Sequence, residues 1–193
     1  YIGNEERPNI EDYLSSVQMG LWMPLSRAHG KTPREPWQYG DMALKEVKKW
    51  INFRHRLVPY LYHTACQSHQ SGIPMIRPLV MEYPKDPIAK IQNLSYMLGD
   101  ALLISPGFDR DEYELYLPEG RWQDIESKEV YEGMTFVHIE NKAFADGGTS
   151  LRVFQKEGTS IPLFAQKEVL HVPAQLWKQE DLEFMTFQKK DVD

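Results

Sequence analysis

The sequence predicts an α/β segment followed by an all-β segment, and three observations carry that prediction. Apolar residues recur at helical spacing up to residue 72. Beyond residue 78 they gather in short runs rich in β-branched and aromatic side chains. The change falls where Pro74, Pro78, Pro84 and Pro87 cluster. Helix, strand, helix and then many strands imply two domains, with the boundary near residues 72–90. The 193 residues, 41% of them apolar, are enough for both and for a proper core.

Residues 9–20, "NIEDYLSSVQMG", read as a helix, because Ile10, Leu14, Val17 and Leu21 fall three and four apart and Asn9 can cap the start. "LWMPLS" reads as a short extended run fixed by Pro24. The stretch "SRAHGKTPREPW" then has to turn, at Gly30, Pro33 and Pro36. Residues 41–72 form a long helical pattern with Leu44, Val47, Ile51, Val58, Leu61 and Ala65 on one face. Asp41 can cap its start, Gly72 can supply the left-handed residue past its end, and Pro59 inside it should kink it. The strand candidates are "ALLISP", "YELYLP", "RWQDI", "VYEGMTFVHI", "SLRVFQK" and "TSIPLF". Their regular punctuation by Gly, Pro and Asp is that of an antiparallel sandwich. In "EGMTFVHI" the alternation through Met134, Phe136 and Ile139 is imperfect, which allows a bulge. The final stretch from His171 holds one strand-like run and a charged end, either a tail or the first strand of a further domain.

A net charge of −6 with no basic block argues against a nucleic-acid partner. No apolar run is long enough to span a membrane, and a single cysteine excludes an internal disulfide. The first residue is Tyr, so the N-terminus reads as a cut and says nothing about a signal peptide; a cytoplasmic location is the favoured expectation. Five Trp, ten Tyr and eight Phe suit a large core and also a surface that stacks on sugar rings.

No CxxC, HExxH, GxSxG or glycine-rich phosphate loop is present. His55, His63 and His69 share the long helix at spacings that make no tight metal face, and His63, one turn from Pro59, reads as a packing residue. Asp109, Asp111, Glu112 and Glu114 read as a solvated hairpin turn, Asp100 after Gly99 as a turn residue, and Cys66 as a small core hydrophobe. His29 differs, because it follows a strand-like run and precedes a helix, the position of a βα-loop. In (β/α)8 barrels that edge carries the active site. A purely structural loop histidine is the competing reading. Arg27 and Arg34 are donors able to pin a glutamate such as Glu35, and Trp37 can cover the helix start.

The ordered pieces "SRAHG", "RLVPYLY", "GIPMIRPL", "EYPKDP", "YMLGDALLISP" and "YLPEGRW" together resemble glycoside hydrolase family 31, the family of α-glucosidases and α-xylosidases, over about residues 9–165. The "SRxHG" form is similar to that of the α-xylosidase branch. The resemblance implies that residues 1–72 are the end of a (β/α)8 catalytic barrel and residues 73–168 an antiparallel β-sandwich beside it. Residues 169–193 would be a tail or the start of a distal β-domain. It implies a retaining enzyme without metal or cofactor, acting on a terminal α-linked glucose or xylose of an oligosaccharide or glycoside. His29 would bind hydroxyls of the sugar whose bond is cleaved, on a loop braced by Arg34, Glu35 and Trp37, with Arg27 beside it. The family's two catalytic aspartates would precede Tyr1, and no residue here matches either. The expectation is therefore a C-terminal part that works with an upstream catalytic segment. The competing expectation is a noncatalytic carbohydrate-binding or scaffolding sandwich.

Overall fold

The computed structural model describes residues 7–107, 111–140, 151–165 and 177–189; Asp109, residues 166–176 and the last four residues lie outside them. Helix α1 spans Ile10–Leu21, and the Asn9 side chain accepts the Asp12 backbone N–H at 2.8 Å, as its cap position predicts. Tyr13 and Leu14 of α1 pack with Ala43 and Val47 in a small cluster of their own.

The predicted strand at "LWMPLS" does not form. The amides of Trp22 and Met23 bond back to the carbonyls of Met19 and Gly20, so the chain leaves α1 through tight turns. Arg54 donates to the carbonyl oxygens of Leu21 and Pro24, and Pro24 has no N–H to offer a neighbour. The polar groups a strand would need are thus occupied by a side chain or missing.

A 3-10 turn, Pro36–Tyr39, leads directly into α2, Gly40–Ser71. Because that turn runs into the helix, Tyr39 takes the N-cap position and Asp41 falls inside the first turn. There its carboxylate favours the helix dipole without capping. Gly72 ends the helix at φ 76°, in the left-handed conformation predicted for it. The helix continues through Pro59, which is buried. Its expected apolar face divides between neighbours. Val47 packs on α1, Leu57 and Tyr60 pack on a sheet, and Leu44 and Ile51 remain 39% exposed. His63 is exposed, not packed, since it points away from both contact faces.

Ten strands follow. They are β1 (Ile76–Pro78), β2 (Tyr96–Leu98), β3 (Leu102–Pro106), β4 (Glu112–Leu117), β5 (Arg121–Asp124), β6 (Val130–Glu132), β7 (Thr135–Glu140), β8 (Leu151–Lys156), β9 (Thr159–Phe164) and β10 (Leu182–Phe187). One helical turn, α3 (Leu79–Glu82), lies between β1 and β2. The described pairs are all antiparallel, in a six-stranded sheet of order β1-β2-β3-β8-β5-β6 and in two two-stranded sheets, β9-β10 and β4-β7.

Strand alternation sorts the core into two clusters on the faces of the larger sheet. Leu102, Ile104, Leu151 and Val153 face Leu57 and Tyr60 of α2, with Ile161 and Leu163 of β9 completing that cluster. Leu103 and Phe154, one position along, face Tyr113, Leu115, Leu117 and Ile139 of the β4-β7 pair. Each such side chain contributes about 1.5–3 kcal/mol on burial, so these interfaces, not local propensity, hold the layers together. Trp122 is fully buried and its indole N–H donates to the Pro118 carbonyl at 2.8 Å, which leaves no unmet donor there. The strand-like run of the final stretch is β10, paired with β9 from Leu182 opposite Phe164 to Phe187 opposite Thr159. Among the described residues no helix is long and apolar enough to cross a membrane.

Candidate functional site

The loop predicted to matter closes one side of a cleft of about 640 Å³. Tyr13, Val17 and Gly20 of α1 form one wall, residues 26–36 another, and Val47, Ile51, Arg54 and His55 of α2 the third. The sequence places these walls for physical reasons. Tyr13 and Val17 lie one helical turn apart, as do Ile51 and His55, so each pair shares a face of its helix.

His29 lies on the exposed loop and lines this cleft together with Arg27, Gly30 and Glu35. Arg34 also lines it but is only 5% exposed. Its position explains Gly30, because a Cβ there would come within 2.8 Å of the Arg34 Nε. Trp37 is 62% exposed in the 3-10 turn and does not cover the helix start. Tyr39 does so instead, stacked on Tyr13 with ring centroids 3.9 Å apart and planes within 10°. A ring on the N-cap residue itself reaches α1, whereas Trp37 sits on the outer side of the turn.

Several residues of this site were not singled out from the sequence. The Tyr13 hydroxyl donates to the Arg34 carbonyl at 2.9 Å inside the protein. Burial pushes its phenol up to about 12, with Tyr39 and Glu35 adding to the effect, so it remains an O–H donor throughout the physiological range. Arg54 holds the loop's beginning through Leu21 and Pro24, and desolvation lowers its pKa. The available signal for Arg54 and His55 was their place one turn past Ile51; nothing local marks Tyr13 apart from its helical period.

Chemically, the cleft offers histidine, arginine and hydroxyl donors beside apolar walls, a combination suited to a polyhydroxylated ring. Glu35 is its one carboxylate among the described residues lining it. No group of three or more potential metal ligands occurs among the described residues. A second cavity of about 480 Å³ lies across Arg54, between Trp22, Trp50 and Phe53 on one side and Ile125 and Val153 on the other.

Residues 72–168 match the C-terminal domain of glycosyl hydrolase family 31, and residues 3–64 match that family's TIM-barrel domain. The chain is 32% identical over 165 residues to a 1,6-alpha-glucosyltransferase of Sporosarcina globispora, covering 83% of this chain and 13% of that protein. It is likewise 32% identical over 164 residues to human neutral alpha-glucosidase AB, covering 81% of this chain and 17% of the relative. Among solved structures, the cycloalternan-forming enzyme from Listeria monocytogenes, in complex with a pentasaccharide substrate, superposes with a TM-score of 0.82 at 29% identity, over 96% of this chain and 19% of that one. A Flavobacterium johnsoniae dextranase complexed with glucose gives 0.72 at 32% identity, over 81% and 20%. The chain thus spans at most about a fifth of the length of each of these proteins.

Proposed function

This chain belongs to glycosyl hydrolase family 31, and from that premise we propose that it is the C-terminal part of a retaining α-glycosidase releasing terminal α-linked glucose. The observation that carries the reading is the position of His29 on a cleft walled by the segment that matches the family's TIM-barrel domain. His29 binds hydroxyls of the sugar whose bond is cleaved. Arg27, Arg34, Glu35 and Trp37 shape the loop that carries it. Glucose is preferred to xylose in this reading because the similar proteins are named for glucosyl chemistry, against the weaker hint of "SRAHG".

A retaining glycosidase needs two carboxyl groups roughly 5 Å apart. One attacks the anomeric carbon and the other protonates the departing oxygen, then activates the water that releases the sugar. Glu35, the cleft's one carboxylate among the described residues, cannot fill both roles. The resemblance to the family implies two aspartates, and no residue here matches either, so both roles are assigned to an upstream segment. This chain contributes binding of the ring, which strengthens as positive charge develops at the anomeric centre.

Two measurements test the reading. The 193-residue chain alone should not turn over aryl α-glucosides, and turnover by a pure preparation free of longer species refutes the upstream assignment. For the complete enzyme, proton NMR of the first-formed sugar should report the α-anomer; a β-anomer appearing first rejects the retaining mechanism.

A further inference from the structure

An aromatic stack between Tyr13 and Tyr39 requires no hydroxyl, since phenylalanine would stack equally well. The hydroxyl nevertheless crosses from α1 to the loop and donates to the backbone carbonyl of Arg34, twenty-one residues along the chain and out of solvent. The Arg34 side chain is itself buried and lies against Gly30, the residue next to His29. A path of direct contacts thus runs from the Tyr13 hydroxyl, through Arg34, to the backbone that bears the His29 ring. At the other end Arg54 fixes the carbonyls of Leu21 and Pro24, so the loop is clamped at both its entry and its exit.

We infer that Tyr13 is a positioning residue for His29: its hydroxyl holds the loop in the conformation that presents the histidine to the cleft. This rests on the reading of His29 as the sugar-binding residue. Two features of the geometry support a positioning role over mere stability. The bond ends on a loop carbonyl and not on a helix or strand, and Tyr13 belongs to the small cluster between α1 and α2 and to neither cluster of the large sheet. Gly30 and Arg34 are in mutual contact tight enough that a single methyl group at Gly30 displaces the guanidinium.

The test uses Tyr13→Phe, which keeps the ring and its stack and removes only the donor. In the complete enzyme, amide hydrogen exchange over residues 27–35 should quicken about tenfold, the change that corresponds to one ordinary hydrogen bond. Unchanged exchange there overturns the inference. In the complete enzyme, kcat/KM should fall about tenfold by the same reasoning, but Tyr13→Phe should add no further loss in a His29→Ala background. An equal loss in both backgrounds means that Tyr13 acts on the fold at large, and overturns the inference. Gly30→Ala, which disturbs the same path from its other end, should show the same non-additivity with His29→Ala; full additivity counts against the path. If His29→Ala alone leaves kinetics normal, the sugar-binding reading of His29 fails, while hydrogen exchange still decides whether Tyr13 holds the loop.

Discussion

His29 sits where a side chain can be removed without opening a cavity, since it is exposed on a loop and belongs to none of the core clusters. His29→Ala in the complete enzyme should therefore leave the thermal midpoint nearly unchanged. It should lower kcat/KM by about 2–4 kcal/mol, as for losing one preorganised donor at a transition state. Normal kinetics with a large drop in melting temperature would identify a packing residue instead. His138 on β7 gives a second test at this scale. Its Nδ1 lies 2.8 Å from Glu114 and its Nε2 3.6 Å from Glu112, both on β4, with Glu140 near by. The hydrogen bond to Glu114 is the largest cause raising its pKa above the ordinary histidine value; partial desolvation opposes it, and the charges of Glu114, Glu112 and Glu140 add to it. A raised folded-state pKa means that the contribution is fully present below the unfolded value of about 6.5 and is lost as pH rises through the folded one. NMR titration should find that shift, and Glu114→Gln should abolish most of it. A titration unmoved by Glu114→Gln refutes the pairing. A candidate such as His29 stands out in the sequence because a polar ring in a proline- and glycine-bounded loop is unusual. The partners that hold its loop do not, because Tyr13 and Arg54 sit in ordinary helical positions and meet the loop only through tertiary contact.

At the scale of the element, the run "VYEGMTFVHI" is instructive. Its imperfect alternation suggests one bulged strand, yet the structure divides it between two sheets: β6 pairs with β5, and β7 pairs with β4. The division occurs at Gly133 and Met134, where Met134 adopts φ 57° and Gly133 donates its N–H to the Gly120 carbonyl at 2.7 Å. The backbone approach is so close that a Cβ on Gly133 would lie 2.1 Å from the Pro118 carbonyl oxygen. Because the obstacle is backbone and not a flexible side chain, Gly133→Ala should destabilise the chain by about 2–4 kcal/mol, the upper range for single substitutions. Chemical denaturation checks it, and a loss under 1 kcal/mol would mean the turn can shift freely. Periodicity marked where residues were extended but could not mark which sheet received them, because both halves of the run have strand character. The same limit explains "LWMPLS", whose apolar residues suit a strand but whose carbonyls are taken by Arg54. The short β1 and β2 escaped notice for a simpler reason, since three residues, Ile76–Pro78 and Tyr96–Leu98, are too few to display a period.

Across the whole molecule, the change of period near residue 72 marks a change of architecture without a physical gap. Leu57 and Tyr60 of α2 are buried in the same cluster as Leu98, Leu102, Ile104 and Val153 of the large sheet. The Tyr60 hydroxyl donates to the Leu98 carbonyl at 2.6 Å, and burial drives its pKa upward, so the bond persists at any ordinary pH. Arg56, one residue before Leu57, donates to the Phe164 carbonyl at 3.0 Å and pairs with Glu183 on β10. The two segments expected from the sequence thus meet through the long helix, which is buried against the large sheet. A shared core predicts a shared transition. Leu57→Ala leaves a cavity at the joint and should cost about 2–5 kcal/mol. Far-UV circular dichroism, dominated by α2, and the NMR signal of the Trp122 indole N–H, which reports the opposite face of the sheet, should move to the same lower midpoint in thermal unfolding. If the helical signal falls early while the Trp122 signal keeps its original midpoint, the helical segment and the sheets are separate cooperative units, and the α2 interface is a docking contact between them.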